Sequence, residues 1–536
     1  MAPHGMVASS QPLATQVGAN ILQAGGTAVD AAIAMNAMLG LVEPMSCGLG
    51  GDLFAFVWDS AAHELRGLNG SGRSPYSLGM PEFAKLDLKR IPERGPLSWS
   101  VPGCVDAWYV LHDKCGRLPM ADLLEPTIAY AKEGFPVSPV ISHMWKRSEE
   151  VLSEEPGTAS TLLIEGKAPS CGQRFRNPAL GAVLQQLQRG GKEVFYRGAV
   201  AEAMARFSKS MGGFLTSKDL AEHTSTWVTP LSVPYRGHEV WGLPPNSQGL
   251  ATLEMLRIIE GYDIRKMGHN SAELLHHLIE AKKLAFADRA RFYADPDFYD
   301  VPTERLLSKA YADSQRQRIS PDRAATEVSS DDARLRTSDT VYVTAVDAER
   351  NAASLIQSIY NGRTFGSGLA PRELGFALQN RGCLFNLDPE HPNRFEPHKR
   401  PFHTIIPGFV TLDGDPVFCF GVMGGDQQPQ GQVQVLVNLI DFGMDAQEAG
   451  DALRFRHDGS STPTGDIMKD GGTVYLETGM SPDVVDGLRA KGHHVEVLTE
   501  REGGNYGGYQ GIWIDPKTGM LHGGSEPRKD GCAIGY

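Results

Sequence analysis

The sequence predicts an α/β fold, a layered sandwich of helices packed on strands. Three observations carry this: apolar segments at helical spacing in the first half, alternating strand pairs after residue 340, and polar turns between them. The 536 residues suffice for a large core and for two or more folding units. A content of 41% hydrophobic and 21% charged residues is ordinary for a globular protein. The formal net charge of -13 argues against a nucleic-acid surface, while leaving room for a local cationic pocket.

Taken in order, the Ala28–Leu41 stretch (AVDAAIAMNAMLGL) suits a helix buried nearly all round. Gly48-Leu49-Gly50-Gly51-Asp52 reads as a tight turn, because it lacks the Lys-Ser/Thr of a phosphate loop, and Leu53–Trp58 reads as a strand. Residues 119–290 read as mostly helical. One helix opens on Asn270 as cap with Glu273 three residues on. It carries His276 and His277, which lack the H-E-x-x-H arrangement of a zinc site and read as packing or surface residues. Residues 315–339 lose their large apolar side chains and read as an exposed connector. Strands are expected at Val341–Asp347, Ala352–Tyr360, Phe409–Leu412, Val417–Val422, Val474–Glu477, Val495–Leu498 and Gly511–Ile514, with a helix at Val433–Ile440.

The seven cysteines are scattered, with no C-x-x-C pair, so they read as reduced and mostly buried thiols. The first residues lack a basic n-region and a long apolar h-region, and no run of 18 apolar residues occurs. The expectation is a cytoplasmic protein with no membrane and no nucleic-acid partner.

The residue that decides the chemistry is Thr340, in Ser338-Asp339-Thr340-Val341-Tyr342. A threonine ahead of a strand is ordinarily unremarked. If the Asp339–Thr340 bond is cut, however, nucleophilic hydroxyl and basic α-amine reside on one residue. An α-amine has a pKa of about 7.7–8, so it can shuttle protons without a histidine.

Further motifs join it in order: Gly25-Gly26-Thr27-Ala28-Val29-Asp30-Ala31-Ala32, Val42-Glu43-Pro44, Leu243-Pro244-Pro245-Asn246-Ser247-Gln248-Gly249, Phe292-Tyr293-Ala294-Asp295-Pro296, Lys399-Arg400-Pro401 and Gly424-Gly425. With them the chain resembles, nearly end to end, the γ-glutamyltransferase family of N-terminal-nucleophile hydrolases. The resemblance implies a four-layer αββα sandwich made as one chain and self-cleaved into 1–339 and 340–536. The two pieces would form a heterodimer, with a dimer of such heterodimers left open. Thr340 would be the nucleophile and Ser358 would hold its amine. Backbone N–H groups of Gly424 and Gly425 would form the oxyanion hole, and Arg73 would bind a substrate carboxylate. No metal and no organic cofactor are implied.

Departures from the family pattern bear on substrate. Where γ-glutamyl enzymes grip an α-ammonium, this chain has Arg381 and Leu384. A cation there repels an ammonium. The family's serine pair is His403-Thr404, and Tyr360 replaces an asparagine. These differences resemble the oxamate amidohydrolase-like and cephalosporin-acylase-like branch. The expected substrate is a small carboxylate-bearing amide, held by Arg73 and Arg381 with His403 and Thr404 adding hydrogen bonds. Oxamate comes first, a glutaryl- or cephalosporin-type acyl amide second, and a γ-glutamyl substrate such as glutathione third. An unprocessed, inactive scaffold is the reading from a different class.

Overall fold

The computed structural model describes residues 1–328, 340–499 and 506–536. Two antiparallel sheets lie at its centre. The first has seven strands in the order Cys532–Gly535, Met6–Ser9, Val341–Val346, Ala352–Ser358, Asp52–Asp59, Glu64–Gly70 and Thr226–Val228. The second has six: Leu521–Ser525, Tyr509–Ile514, Asp415–Val422, Gly408–Leu412, His238–Gly242 and Leu231–Tyr235.

Period-2 alternation sorts side chains between two cores. In Asp52–Asp59, Leu53, Ala55 and Val57 face a helical layer, while Phe54, Phe56 and Trp58 face the other sheet. Phe409, Cys419 and Ile512 meet them from the second sheet. Contact between the sheets is close: a Cβ on Gly421 would fall 2.4 Å from the Tyr342 ring. The helix Ala28–Val42 covers the outer face of the first sheet and is buried along its whole length. Its start is a capping box, Thr27 Oγ1 accepting from Asp30 N–H at 3.2 Å and Thr27 N–H donating to Asp30 at 2.9 Å. Helices Gly249–Ile259, Ala272–Phe292 and Gln427–Leu436 cover the second sheet. The result is the four-layer αββα sandwich.

Several expectations need correction. Residues 119–290 are mostly helical, as expected, but the strands Thr226–Val228, Leu231–Tyr235 and His238–Gly242 also fall within them. Pro234 disguised the middle one; it is tolerated because Leu231–Tyr235 is an edge strand. Ser271, not Asn270, caps the long helix, its Oγ accepting from Leu274 N–H at 3.0 Å. Asn270 instead takes a left-handed φ of 50° and donates to Leu453 O. Its neighbour serine is simply better placed for the N3 amide. The connector begins as the helix Lys309–Arg316, and its described part buries Ile319, Ala324 and Val328, so it is not wholly exposed. The strands Met6–Ser9, Glu64–Gly70, Leu521–Ser525 and Cys532–Gly535 went unread.

Cys47, Cys104, Cys383 and Cys419 are buried, and all seven cysteines are free. Among the described residues no helix is long and apolar enough to cross a membrane.

Candidate active site

The two sheets present their functional residues at one end. Thr340 immediately precedes the strand Val341–Val346 and is 2% exposed. Asp339 lies outside the described residues. Ser358 closes the neighbouring strand, and Asp52 stands opposite it in register. From the second sheet, the strand Asp415–Val422 runs into Gly424 and Gly425 and then into the helix Gln427–Leu436.

The Thr340 hydroxyl is loosely held: it donates to Ser358 Oγ at 3.4 Å and accepts from Gln428 Nε2 at 3.4 Å. Both contacts are long for bonds to a hydroxyl, as is common before a catalytic group engages substrate. Ser358 Oγ accepts from Tyr360 N–H at 2.8 Å. Gly424 and Gly425 take left-handed φ values of 115° and 59°, which glycine adopts without a Cβ penalty. Their carbonyls cap the following helix through Gln427 and Gln428 N–H at 3.0 and 3.1 Å. Gly51 also must lack a side chain, since a Cβ would fall 2.4 Å from Ser358 O.

Tyr360 links Ser358 to a buried cation. Its φ is 80°, a left-handed and strained conformation for an aromatic residue. Its ring lies 4.6 Å from the Arg381 guanidinium. Arg381 is fully buried and donates from Nη1 to Thr404 Oγ1 at 2.8 Å. Its Nε and Nη2 have no hydrogen-bond partner. Burial lowers the guanidinium to about 10, a fall that Asp52 opposes, so it stays charged at neutral pH. His403 is also fully buried, with Nε2 3.1 Å from Asp52 Oδ2. Burial, reinforced by Arg381, pushes it down to about 3, so its ring is neutral and donates to the carboxylate. Gln248 Nε2 ties Thr404 O and Gly425 O together, at 2.5 and 2.9 Å.

Thr340, Ser358, Arg381, Thr404 and Gly425 are thus joined by one chain of contacts. Arg73 stands apart from that chain. Its guanidinium lies 3.8 Å from Asp297, and no hydrogen bond or ion pair joins it to Thr340 or Thr404. The sequence reading missed Asp52, Gln428 and Gln248. Only Asp52 left a signal, an acid opening an otherwise apolar buried strand.

A cleft with about 570 Å³ of empty space, part of it open to solvent, is lined by Tyr360, Leu384, Thr404 and Gly425. It is also lined by Asp426, which receives Arg289 at 2.7 and 3.2 Å, and by residues of the 459–466 loop. Away from the site, His276, Glu280 and His493 cluster closely enough to suggest a metal centre. Within the cluster His276 Nδ1 lies 2.8 Å from His493 Nε2, while His276 Nε2 lies 2.7 Å from Ser320 O and Glu280 receives Lys283 Nζ at 2.8 Å. His276 and His277 are both buried in the long helix.

A threonine opening a central strand of an αββα sandwich, beside two left-handed glycines, defines an N-terminal-nucleophile type of amidohydrolase. The sequence profile described as gamma-glutamyltranspeptidase matches residues 14–536, and the chain belongs to that family. It is 37% identical to the glutathione hydrolase-like YwrD proenzyme of Bacillus subtilis, over 99% of this chain and 98% of the relative. The oxamate amidohydrolase proenzyme of Klebsiella pneumoniae is 34% identical, with the same coverage of 99% and 98%. Among solved structures, a cephalosporin acylase from Bacillus halodurans superposes with a TM-score of 0.92 at 40% identity, over 100% of this chain and 96% of that one.

Proposed function

We propose that the protein matures by cleavage at Asp339–Thr340 and hydrolyses amides whose acyl group ends in a carboxylate. The observation that supports this reading is Arg381, a fully buried cation with two donor atoms unpartnered, linked through Tyr360 and Ser358 to Thr340. Leaving charged donors unmet in a protein interior is costly, and a bidentate carboxylate would satisfy them. A γ-glutamyl group would bring an ammonium toward the same cation.

In maturation, the Thr340 hydroxyl attacks the carbonyl of residue 339; the C–N bond breaks, freeing the Thr340 amine and leaving residue 339 as an ester on Oγ1, which water hydrolyses to a carboxylate and the free hydroxyl. In turnover that amine takes the hydroxyl proton as Oγ1 attacks the amide carbon. The carbonyl oxygen becomes an oxyanion facing the N–H groups of Gly424 and Gly425. The amine then gives its proton to the leaving nitrogen as the C–N bond breaks. Water, deprotonated by the same amine, cleaves the threonyl ester. For oxamate the products are oxalate and ammonia. The pieces 1–339 and 340–536 stay together in this account, because Met6–Ser9 pairs with Val341–Val346 on one side and Cys532–Gly535 on the other.

Oxamate remains the first substrate to try. The cleft beyond Leu384 favours a second reading, a longer acyl group of the glutaryl kind. The test compares oxamate, glutaryl-p-nitroanilide and γ-glutamyl-p-nitroanilide. The two anilides differ only in the α-ammonium. A kcat/KM at least roughly ten-fold higher without the ammonium is expected, the size of one lost charge contact. Preference for the γ-glutamyl compound would overturn the reading.

A further inference from the structure

Asp52 is wholly buried at the start of its strand, opposite Ser358. Its Oδ1 accepts from Gly72 N–H at 3.0 Å, Gly103 N–H at 3.1 Å and Gln379 Nε2 at 2.9 Å. Its Oδ2 accepts from His403 Nε2 at 3.1 Å. A side chain that only accepts, from four donors, behaves as a carboxylate. Such charge-assisted bonds are strong and directional in a dry interior.

Two of these donors belong to the segments that carry Arg381 and Thr404, and a third to the segment of Arg73. Gly72 precedes Arg73. Gln379 lies two residues before Arg381. His403 precedes Thr404, whose hydroxyl receives Arg381 Nη1. The segments are far apart in sequence and meet at this one group. Asp52 is also the acid whose field offsets the buried Arg381 charge. It makes no hydrogen bond to Thr340.

We infer that Asp52 is a positioning residue that sets the pocket's selectivity for a carboxylate-bearing acyl group; this rests on the reading proposed above. It acts through Gln379 and His403, which fix where Arg381 and Thr404 stand, and not by touching substrate. Removing it breaks the Gln379–Asp52–His403 link between the Arg381 and Thr404 segments. A misplacement of about 1 Å can cost as much as 100-fold in rate.

The test uses the mature enzyme and two probes, glutaryl-p-nitroanilide and pentanoyl-p-nitroanilide, which share a chain length and differ in the terminal carboxylate. For the wild type, kcat/KM favours the glutaryl compound. Asp52→Ala is expected to lower the glutaryl-to-pentanoyl ratio about ten-fold or more, mainly through KM on the glutaryl compound. Asp52→Asn keeps an oxygen for Gly72, Gly103 and Gln379 but turns an amide N–H toward His403, and lowers the ratio by a smaller factor. If Asp52→Ala does not fold, Asp52→Asn decides alone. A wild-type ratio near one overturns the carboxylate reading and this inference with it. A wild-type preference that the variants retain, or equal losses on both probes, overturns the inference alone. So does an Asp52→Asn chain that folds but does not mature, because it assigns Asp52 to processing.

Discussion

Two buried helices, one on each side of the sandwich, solve the same problem in opposite ways. Ala28–Val42 is buried all round and almost wholly apolar. Gln427–Leu436 is also buried all round, yet its sequence is QQPQGQVQVL. The first is held by contact area, which is favourable but non-directional. The second is held by amides that bond segments around it. Gln430 accepts from His457 N–H at 2.8 Å and donates to His457 O at 3.2 Å. Gln434 makes the corresponding pair with Phe455, at 2.9 and 3.1 Å. Gln428 accepts from Ile406 N–H at 2.9 Å and extends its Nε2 to Thr340. Directional bonds fix position as well as adding stability, and the helix that uses them follows directly on Gly424 and Gly425.

That contrast can be broken in order of effect. Thr340→Ala should abolish turnover and leave the chain uncut, whereas Thr340→Ser, which keeps hydroxyl and amine, should retain part of both; mass spectrometry with an anilide assay reads the outcome. Normal hydrolysis by the alanine variant would show that another group is the nucleophile.

Next comes Arg381→Gln. Hydrogen bonds to charged groups contribute about 1.5–3 kcal/mol each, so losing two should cost roughly 100-fold or more in kcat/KM on a carboxylate-bearing anilide. A change of less than about three-fold, under 1 kcal/mol, would remove Arg381 from the substrate contact.

The helices themselves supply a matched pair. Gln430→Met nearly conserves volume but strips partners from His457 N–H and the carbonyls of His457 and Asp426. A cost of about 1–3 kcal/mol is expected in denaturant unfolding, with a fall in kcat as Gly425 and Gln428 shift. Met35→Leu on the apolar helix, also near-isosteric, should cost under about 1.5 kcal/mol and leave kcat alone. Met35 packs so closely on Gly18 that a Cβ there would lie 2.6 Å from it. Equal effects from the two swaps would erase the distinction between the helices.

The same contrast shows what was legible in the sequence. Ala28–Val42 could be read because its apolarity is its structural role. The glutamine run carries no apolar periodicity, and the expected helix at Val433–Ile440 covers only its end, which widens into a π-turn at Val437–Asp441. Strands with clean alternation, such as Val341–Val346, were read within a residue. Short edge strands such as Leu231–Tyr235 have too few alternations to declare themselves. Thr340, Ser358, Gly424, Gly425 and Arg381 could be singled out as candidates because family motifs flank them. Asp52 could not be assigned a partner from sequence, because Gln379 and His403 lie 327 and 351 residues away. Likewise His403 was expected to face substrate, but its Nε2 is committed to Asp52.

The central claim is that Thr340 becomes a free N-terminus. Intact mass and N-terminal sequencing of the purified protein test it directly. The account predicts two fragments that remain together, one of them beginning Thr340-Val341-Tyr342. An uncut chain that hydrolyses amides would contradict it, since Thr340 would then act without its own amine.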